Sequence, residues 1–506
     1  MANDTQTLPP ARENVARTIR LGAGEIAGNC SDGVCRYLGI PYAAPPVGER
    51  RFAKPGPVAK WTGVRDATRP GPSAPQVIKP LPYLDVISVV GDGGERGDDY
   101  LTLNVWAPDG AHARPVMLFI HGGGFIVGNK DAPIHDGSGF ARSGVVIVAI
   151  NYRMGIEGFL PIPGAPTNLG LRDMIAALEW VRDNIAAFGG DPANVTVFGE
   201  SAGAMATADL ITSPLAEGLF RRAIVQSGHG SMVRDIPVAQ RLVAKLAKIL
   251  KVTPDVDGFR TTDWQAGWRA MEKVSHPLAR LDLRDDEGYE PVYGISRFIP
   301  VVGDDVLPEH PLAALGKGAG KQVDLLIGTN TEEMNLYFVP TKVRARIPGF
   351  IAKWMVGKSH PQAKAAMQAY GLGSPGKKPG FAMTEALSDL VFRWPARQYA
   401  AAHQGRTHVY EFDWRSTATG GELGACHAVE MPFVFDTLAC ATGPLGLAGE
   451  APPQELADRV HRIWVDFATD GSLPWGEFTN DQRLVHQLSR NVTIDEPVMP
   501  AAAFVR

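Results

Sequence analysis

Two hydrophobic rhythms alternate along the chain. Val116-Met117-Leu118-Phe119-Ile120 and Val145-Val146-Ile147-Val148-Ala149-Ile150 are apolar at every position. A strand with one wet face would alternate, so these read as strands covered on both faces, inside a parallel or mixed sheet. Val195-Thr196-Val197-Phe198, Ala223-Ile224-Val225 and Asp324-Leu325-Leu326-Ile327 have the same character. Between the second and third runs the rhythm becomes helical: Leu171, Met174, Ile175, Leu178, Val181 and Ile185 recur at helical spacing, with Asn168 placed to cap the start. Phe188-Gly189-Gly190-Asp191-Pro192 ends that helix, because glycine suits a C-terminal cap and proline cannot continue one. Strand, helix and strand of these lengths form a crossover unit, and the class is α/β.

Around this centre, residues 18–42 read as an antiparallel meander with glycine turns and residues 77–98 as a Gly/Asp-rich loop. Segments 231–295 and 340–400 carry helical patterns and read as lid or specificity insertions within one domain, 1–506. The 50 Lys+Arg against 54 Asp+Glu give a net charge of −4, with no long basic run, so no nucleic-acid partner is expected. No apolar run approaches a membrane span, and Met1 to Arg20 lack the apolar stretch of a secretory signal; a cytoplasmic protein with no membrane partner is the expectation. Four cysteines, Cys30, Cys35, Cys426 and Cys440, make no disulfide framework or zinc spacing. The turn Ser31-Asp32-Gly33-Val34 could bring Cys30 to Cys35, but in a reducing compartment free thiols are expected. Gly22 to Gly28 and Gly316 to Lys321 miss the nucleotide-loop spacings and read as turns, so no cofactor or metal is expected.

The chemistry concentrates at Gly199-Glu200-Ser201-Ala202-Gly203. This Gly-x-Ser-x-Gly segment follows an apolar strand and opens a helical stretch, the setting in which a serine sits on a strained elbow. The helix N-terminus behind Ser201 offers unpaired amides to a developing oxyanion. His121-Gly122-Gly123-Gly124-Phe125 directly follows the run 116–120, where a second set of oxyanion amides belongs. Such a serine needs a base oriented by a carboxylate, in chain order Ser, Asp/Glu, His. Asp304, Asp305, Glu332 and Glu333 are candidate acids; His229, His276, His310, His360, His403, His408, His427, His461 and His486 are candidate bases. Spacing alone does not choose among them, although His408 sits in a strand-like run and reads as structural.

Leu38 to Gly48 (LGIPYAAPPVG), Asp99-Tyr100-Leu101-Thr102-Leu103-Asn104-Val105-Trp106, Asn151-Tyr152-Arg153 and the elbow together resemble the type-B carboxylesterase family. These are α/β-hydrolases with a mostly parallel mixed sheet flanked by helices. The resemblance implies Glu333, within Gly328-Thr329-Asn330-Thr331-Glu332-Glu333, as triad acid, and His427, within Gly424-Ala425-Cys426-His427, as base. It implies Gly123, Gly124 and Ala202 as oxyanion donors, and Arg153 with Asp173 and Arg51 with Asp98 as structural ion pairs. Ala74 and Tyr100 stand where secreted members carry a cysteine pair. The 77–98 loop has Tyr83 but no tryptophan, which argues against choline esters. Glu200 and Glu430 stand near the base and are expected to raise its pKa. The expected activity is serine-dependent hydrolysis of small-molecule carboxylic esters without cofactor. A relative cleaving amide, thioester or lactone bonds, or a non-catalytic binding protein on the same scaffold, is the alternative. The sequence sets no oligomeric state, and a monomer is carried as the simplest form.

Overall fold

A computed structural model describes residues 15–276, 278–291 and 295–505; the stretch 1–14, most of the segment read for a secretory signal, lies outside the described residues. The strands in chain order are β1 (Val15–Arg20), β2 (Glu25–Ser31), β3 (Val34–Pro41), β4 (Val64–Asp66) and β5 (Thr102–Pro108). The next are β6 (Arg114–Ile120), β7 (Val146–Ile150), β8 (Gly190–Glu200), β9 (Arg222–Gln226) and β10 (Arg234–Asp235). β11 (Val301–Val302), β12 (Asp324–Asn330), β13 (Thr407–Phe412), β14 (Leu484–Gln487) and β15 (Val492–Asp495) complete the set. The main sheet runs β1-β2-β3-β5-β7-β6-β8-β9-β12-β13-β14-β15, with β4 beside β2 and a separate β10-β11 pair. From β7 to β14 every neighbour is parallel; the meander β1-β2-β3-β5 and the last strand β15 are antiparallel.

The unbroken apolar runs have a simple cause. On β6, Val116, Leu118 and Ile120 enter one core while Met117 and Phe119 enter the other. On β7, Val146, Val148 and Ile150 divide from Ile147 and Ala149 in the same way. Successive side chains point to opposite faces, so a strand covered by helices on both faces must be apolar throughout. The crossover helix Leu169–Asn184 buries Leu171, Met174, Ile175, Leu178 and Val181 as its spacing predicts. Asn168 precedes it but does not cap it. Its backbone is left-handed (φ 54°), and its side chain bonds both the Val301 amide (2.8 Å) and carbonyl (2.7 Å), tying the helix to β11.

Two further sequence expectations are corrected. Cys30 and Cys35 are not free thiols but a disulfide. The two-residue turn Asp32-Gly33, both with positive φ, sets β2 and β3 in a register that puts the cysteines directly opposite each other. Cys426 and Cys440 are free. Arg51 pairs with Glu157 at 2.7 Å rather than with Asp98, which is exposed; its guanidinium also donates to the Thr262 carbonyl. Arg153 and Asp173 do pair, at 2.6 Å and fully buried, with the Arg153 amide and Nε on the same carboxylate. No helix among the described residues is long and apolar enough to cross a membrane.

Candidate active site

β8 ends at Glu200 and a helix begins at Ala202 (Ala202–Thr212), so Ser201 is the single residue of the turn. Its backbone is held at φ 56°, ψ −121°, a conformation that costs a side-chain-bearing residue of order 1–3 kcal/mol. Two backbone hydrogen bonds hold it there. The Ser201 amide donates to the Gln226 carbonyl on β9 (2.9 Å), and its carbonyl accepts from the Met205 amide (2.9 Å). The flanking glycines are needed for space: a Cβ on Gly203 would lie 1.9 Å from the Ile120 carbonyl oxygen, and one on Gly199 2.4 Å from the Gly203 backbone. Ala202 is the first helical residue, where an amide has no intrahelical acceptor.

The loop after β6 comes up against this turn. Gly122 packs so closely that a Cβ there would meet Glu200 and Ser201, and Gly123 (φ 108°) would strike the Val127 carbonyl. Gly123 and Gly124 line the same cavity as Ser201. The motif's histidine turns away from that cavity's chemistry. His121 stacks on Tyr152 at 4.5 Å, its Nδ1 lies 2.8 Å from the Gly122 carbonyl, and burial lowers its pKa to about 4.

The structure separates the candidate acids. Glu333, fully buried beyond β12, has Oε2 2.7 Å from His427 Nδ1, and its Oε1 accepts from the Asn330 amide at 2.8 Å. Its carbonyl also takes the His427 amide (3.2 Å). Glu332 faces the other way, bonded to the Ala425 amide (3.0 Å) and to Arg415. Asp304 and Asp305 lie with Arg172 and Asn168 at the crossover helix. Of the other candidate bases, His229 is held on the Val391 carbonyl, His403 on Gly320, His408 on Gly476 and His461 on Val434, while His276 lines the same cavity as Ser201 with its Nδ1 taken by the Leu278 amide. The strand placement of His408 on β13 is as read from its pattern.

His427 Nε2 has no hydrogen-bond partner among the described residues, so the serine–histidine bond expected from the sequence is not formed. Both side chains line one cavity, and Nε2 lies 3.1 Å from Glu200 Oε1. Glu430 lies behind, fully buried, accepting from Asn330 Nδ2 (2.6 Å) and Gln226 Nε2 (3.2 Å). Burial opposes a charge on His427, but the carboxylates of Glu200 and Glu333 outweigh it and push the imidazole up to about 9. Burial, chiefly, pushes Glu200 up to about 8, with Glu430 and Glu333 adding to it and His427 opposing. Glu200 and His427 therefore titrate as a coupled pair.

The cavity has a volume of about 540 Å³ and is mostly aliphatic. One part of the lining is the 77–90 segment, with Val77, Ile78, Leu81, Leu84, Val86, Val89 and Val90; another is the helix Trp264–Ser275, with Trp268 and Met271. Lys79 and Glu272 join the two by an ion pair at 2.5 Å. Segment 231–295 contributes Trp268, Met271, Glu272, Ser275, His276 and Ile295 to the lining. Segment 340–400 supplies none of the residues lining this cavity, although Phe392 packs on the His427 ring at 4.8 Å. Tyr83 points into a neighbouring groove, with Lys342 over its ring. Sequence reasoning missed the 77–90 wall, and with it Gln226 and Asn330, which carry no chemistry of their own and act through hydrogen bonds to backbone and carboxylates.

The chain matches the model of the carboxylesterase family over residues 15–498. It is 34% identical over 489 residues to the para-nitrobenzyl esterase of Bacillus subtilis (strain 168), covering 93% of this chain and 94% of that protein. It is 32% identical over 480 residues to the phenmedipham hydrolase of Pseudarthrobacter oxydans, covering 92% and 93% of the two chains. Among solved structures, a PNB esterase superposes with a TM-score of 0.82 at 31% identity, over 96% of this chain and 99% of that one. A Geobacillus stearothermophilus carboxylesterase gives 0.80 at 32% identity with the same coverage.

Proposed function

This chain belongs to the carboxylesterase family, with the α/β-hydrolase fold, and hydrolyses carboxylic esters; from that premise we propose that Ser201, His427 and Glu333 carry out the reaction. Ser201 Oγ attacks the ester carbonyl as His427 Nε2 takes its proton, and Glu333 holds the imidazole by Nδ1 and stabilises its charged form. The amides of Gly123, Gly124 and Ala202 receive the oxyanion, each such donor being worth about 3–4 kcal/mol. The alcohol leaves with the proton from His427, and water activated by the same imidazole releases the acid. The observation that carries this reading is a base bonded on one side to a buried carboxylate and free of hydrogen bonds on the other, in the same cavity as a serine on a strained turn. The serine–histidine bond itself is expected to form with substrate bound, since free enzymes commonly hold this bond loosely.

The aliphatic walls support bulky, uncharged esters as substrates. Segments 231–295 and 340–400 act as roof, the first lining the cavity and the second backing the base. For location, Ala74 and Tyr100 in place of the family's cysteine pair support the cytoplasm, while the Cys30–Cys35 disulfide counts against a reducing compartment; a thiol count on the purified protein checks whether that bond is formed. The mechanism is tested by an organophosphate ester. One equivalent is expected to stop activity and to be found by mass spectrometry on Ser201; full inhibition with the label on another residue would overturn the assignment.

A further inference from the structure

The helix Gly349–Val356 is amphipathic in an unusual sense. It buries Ala352 and Val356 and shows solvent the opposite side, where charged residues ordinarily stand. Here that side carries Phe350 (71% exposed), Ile351 (37%) and Trp354 (43%). Phe350 and Trp354 are four residues apart and so lie one turn above the other. Leu278, 73% exposed, meets Trp354 across a surface hollow of about 450 Å³ that Arg280 and Lys358 also line. Single exposed apolar residues are ordinary, but four gathered on one face mark an interaction surface.

The rim is cationic. Lys353, Lys358 and Arg280 have no ion-pair partner among the described residues, and Lys358 Nζ stands 5.1 Å from the centre of the Trp354 ring. The carboxylates that line the hollow are already taken, Asp282 by Arg284 and Glu290 by Arg297 and Arg234. The chain as a whole is negative, at −4, so this face opposes the average. The face also adjoins the cavity. The Leu278 amide donates to His276 Nδ1 (3.2 Å), and His276 lines the cavity that holds Ser201 and His427.

We propose that the face formed by Leu278, Phe350, Ile351 and Trp354, rimmed by Arg280, Lys353 and Lys358, docks peripherally onto an anionic lipid surface. Aromatic and aliphatic side chains enter the boundary between headgroups and acyl chains while the lysines and arginine stay among the phosphates, their stems lying along the apolar layer. A lipid surface accepts exposed Leu and Phe together with free cations and demands no matching shape. The protein then works from the membrane surface without spanning it, which amends the sequence expectation of no membrane partner. Docking is independent of the catalytic assignment. Its use, delivery of lipid-dissolved apolar esters to the cavity mouth, rests on that assignment.

The test is co-sedimentation of the full chain with vesicles of phosphatidylcholine, with and without phosphatidylglycerol, beside a soluble assay on p-nitrophenyl acetate. Binding is expected only with phosphatidylglycerol and is expected to fall with added salt. The double variant Phe350→Ser/Trp354→Ser should lose about tenfold or more of the partitioning, and Lys353→Gln and Lys358→Gln about fivefold each, all with unchanged p-nitrophenyl acetate turnover. Wild-type protein left in the supernatant at low salt, or a double variant that sediments like wild type, overturns the proposal. So does a concentration-dependent dimer that Trp354→Ser dissolves while vesicles fail to compete for it. Vesicle binding without any ester turnover would instead leave docking intact and remove the catalytic reading.

Discussion

Glu200 and His427 bring a negative and a positive group into contact in a place where neither is well solvated. Nε2 and Oε1 lie 3.1 Å apart, each without a hydrogen-bond partner among the described residues, so the charge on either group bears directly on the other. The imidazole must be neutral to accept the serine proton, so activity rises as pH climbs through its raised pKa of about 9. Removing the neighbouring carboxylate lowers that pKa. Glu200→Gln should therefore move the acidic limb of kcat/KM to lower pH by about one unit or more; an unmoved limb would show that Glu200 does not hold the proton there. At this scale the sequence was legible in part. The serine announced itself through its glycines, because only a Cβ-free neighbour fits the elbow. The acid and base were chosen by family resemblance, since the choice of Glu333 over Glu332 is made by which side chain faces Cys426-His427 after folding. No spacing within one segment records that.

Elements were the most readable level, because a strand with two covered faces and a helix with one leave different periods. The β6, β7 and β8 runs and the crossover helix fall where their patterns put them. Errors arose where tertiary partners overrode local chemistry. Asn168 gave up capping to bond Val301, and Arg51 took Glu157 because the helix Gly155–Phe159 brings it closer than Asp98. The disulfide was a third case: compartment reasoning favoured thiols, while the turn geometry at Asp32-Gly33 put the sulfurs together. The elbow's packing gives a stability test. Gly203→Ala should destabilise by about 1–3 kcal/mol or more, since the new methyl would sit 1.9 Å from the Ile120 oxygen. Gly22→Ala, with nothing within 4 Å, should change urea stability by no more than about 0.5 kcal/mol. Equal midpoints for the two variants would mean that the elbow relaxes at no cost.

Across the whole molecule, the cavity is assembled from segments far apart in sequence: 77–90, 268–276 and 336–337. That is why its walls could not be read in advance. An aliphatic loop residue looks the same in sequence whether it faces a core or a substrate, and Val86 or Val89 carries no mark of the difference. The apolar walls have a kinetic consequence. Along a series of p-nitrophenyl alkanoates, kcat/KM should rise from acetate by up to about fourfold per methylene, the value of about 0.8 kcal/mol per buried group, until the cavity is filled. Acetate turned over as well as or better than its longer homologues would show that the acyl chain does not enter these walls. The most direct test of the central claim is the turnover of Ser201→Ala on p-nitrophenyl acetate, with folding confirmed by circular dichroism. The predicted result is a fold intact and kcat down by about 10⁶; a folded variant that keeps most of its turnover would contradict the account.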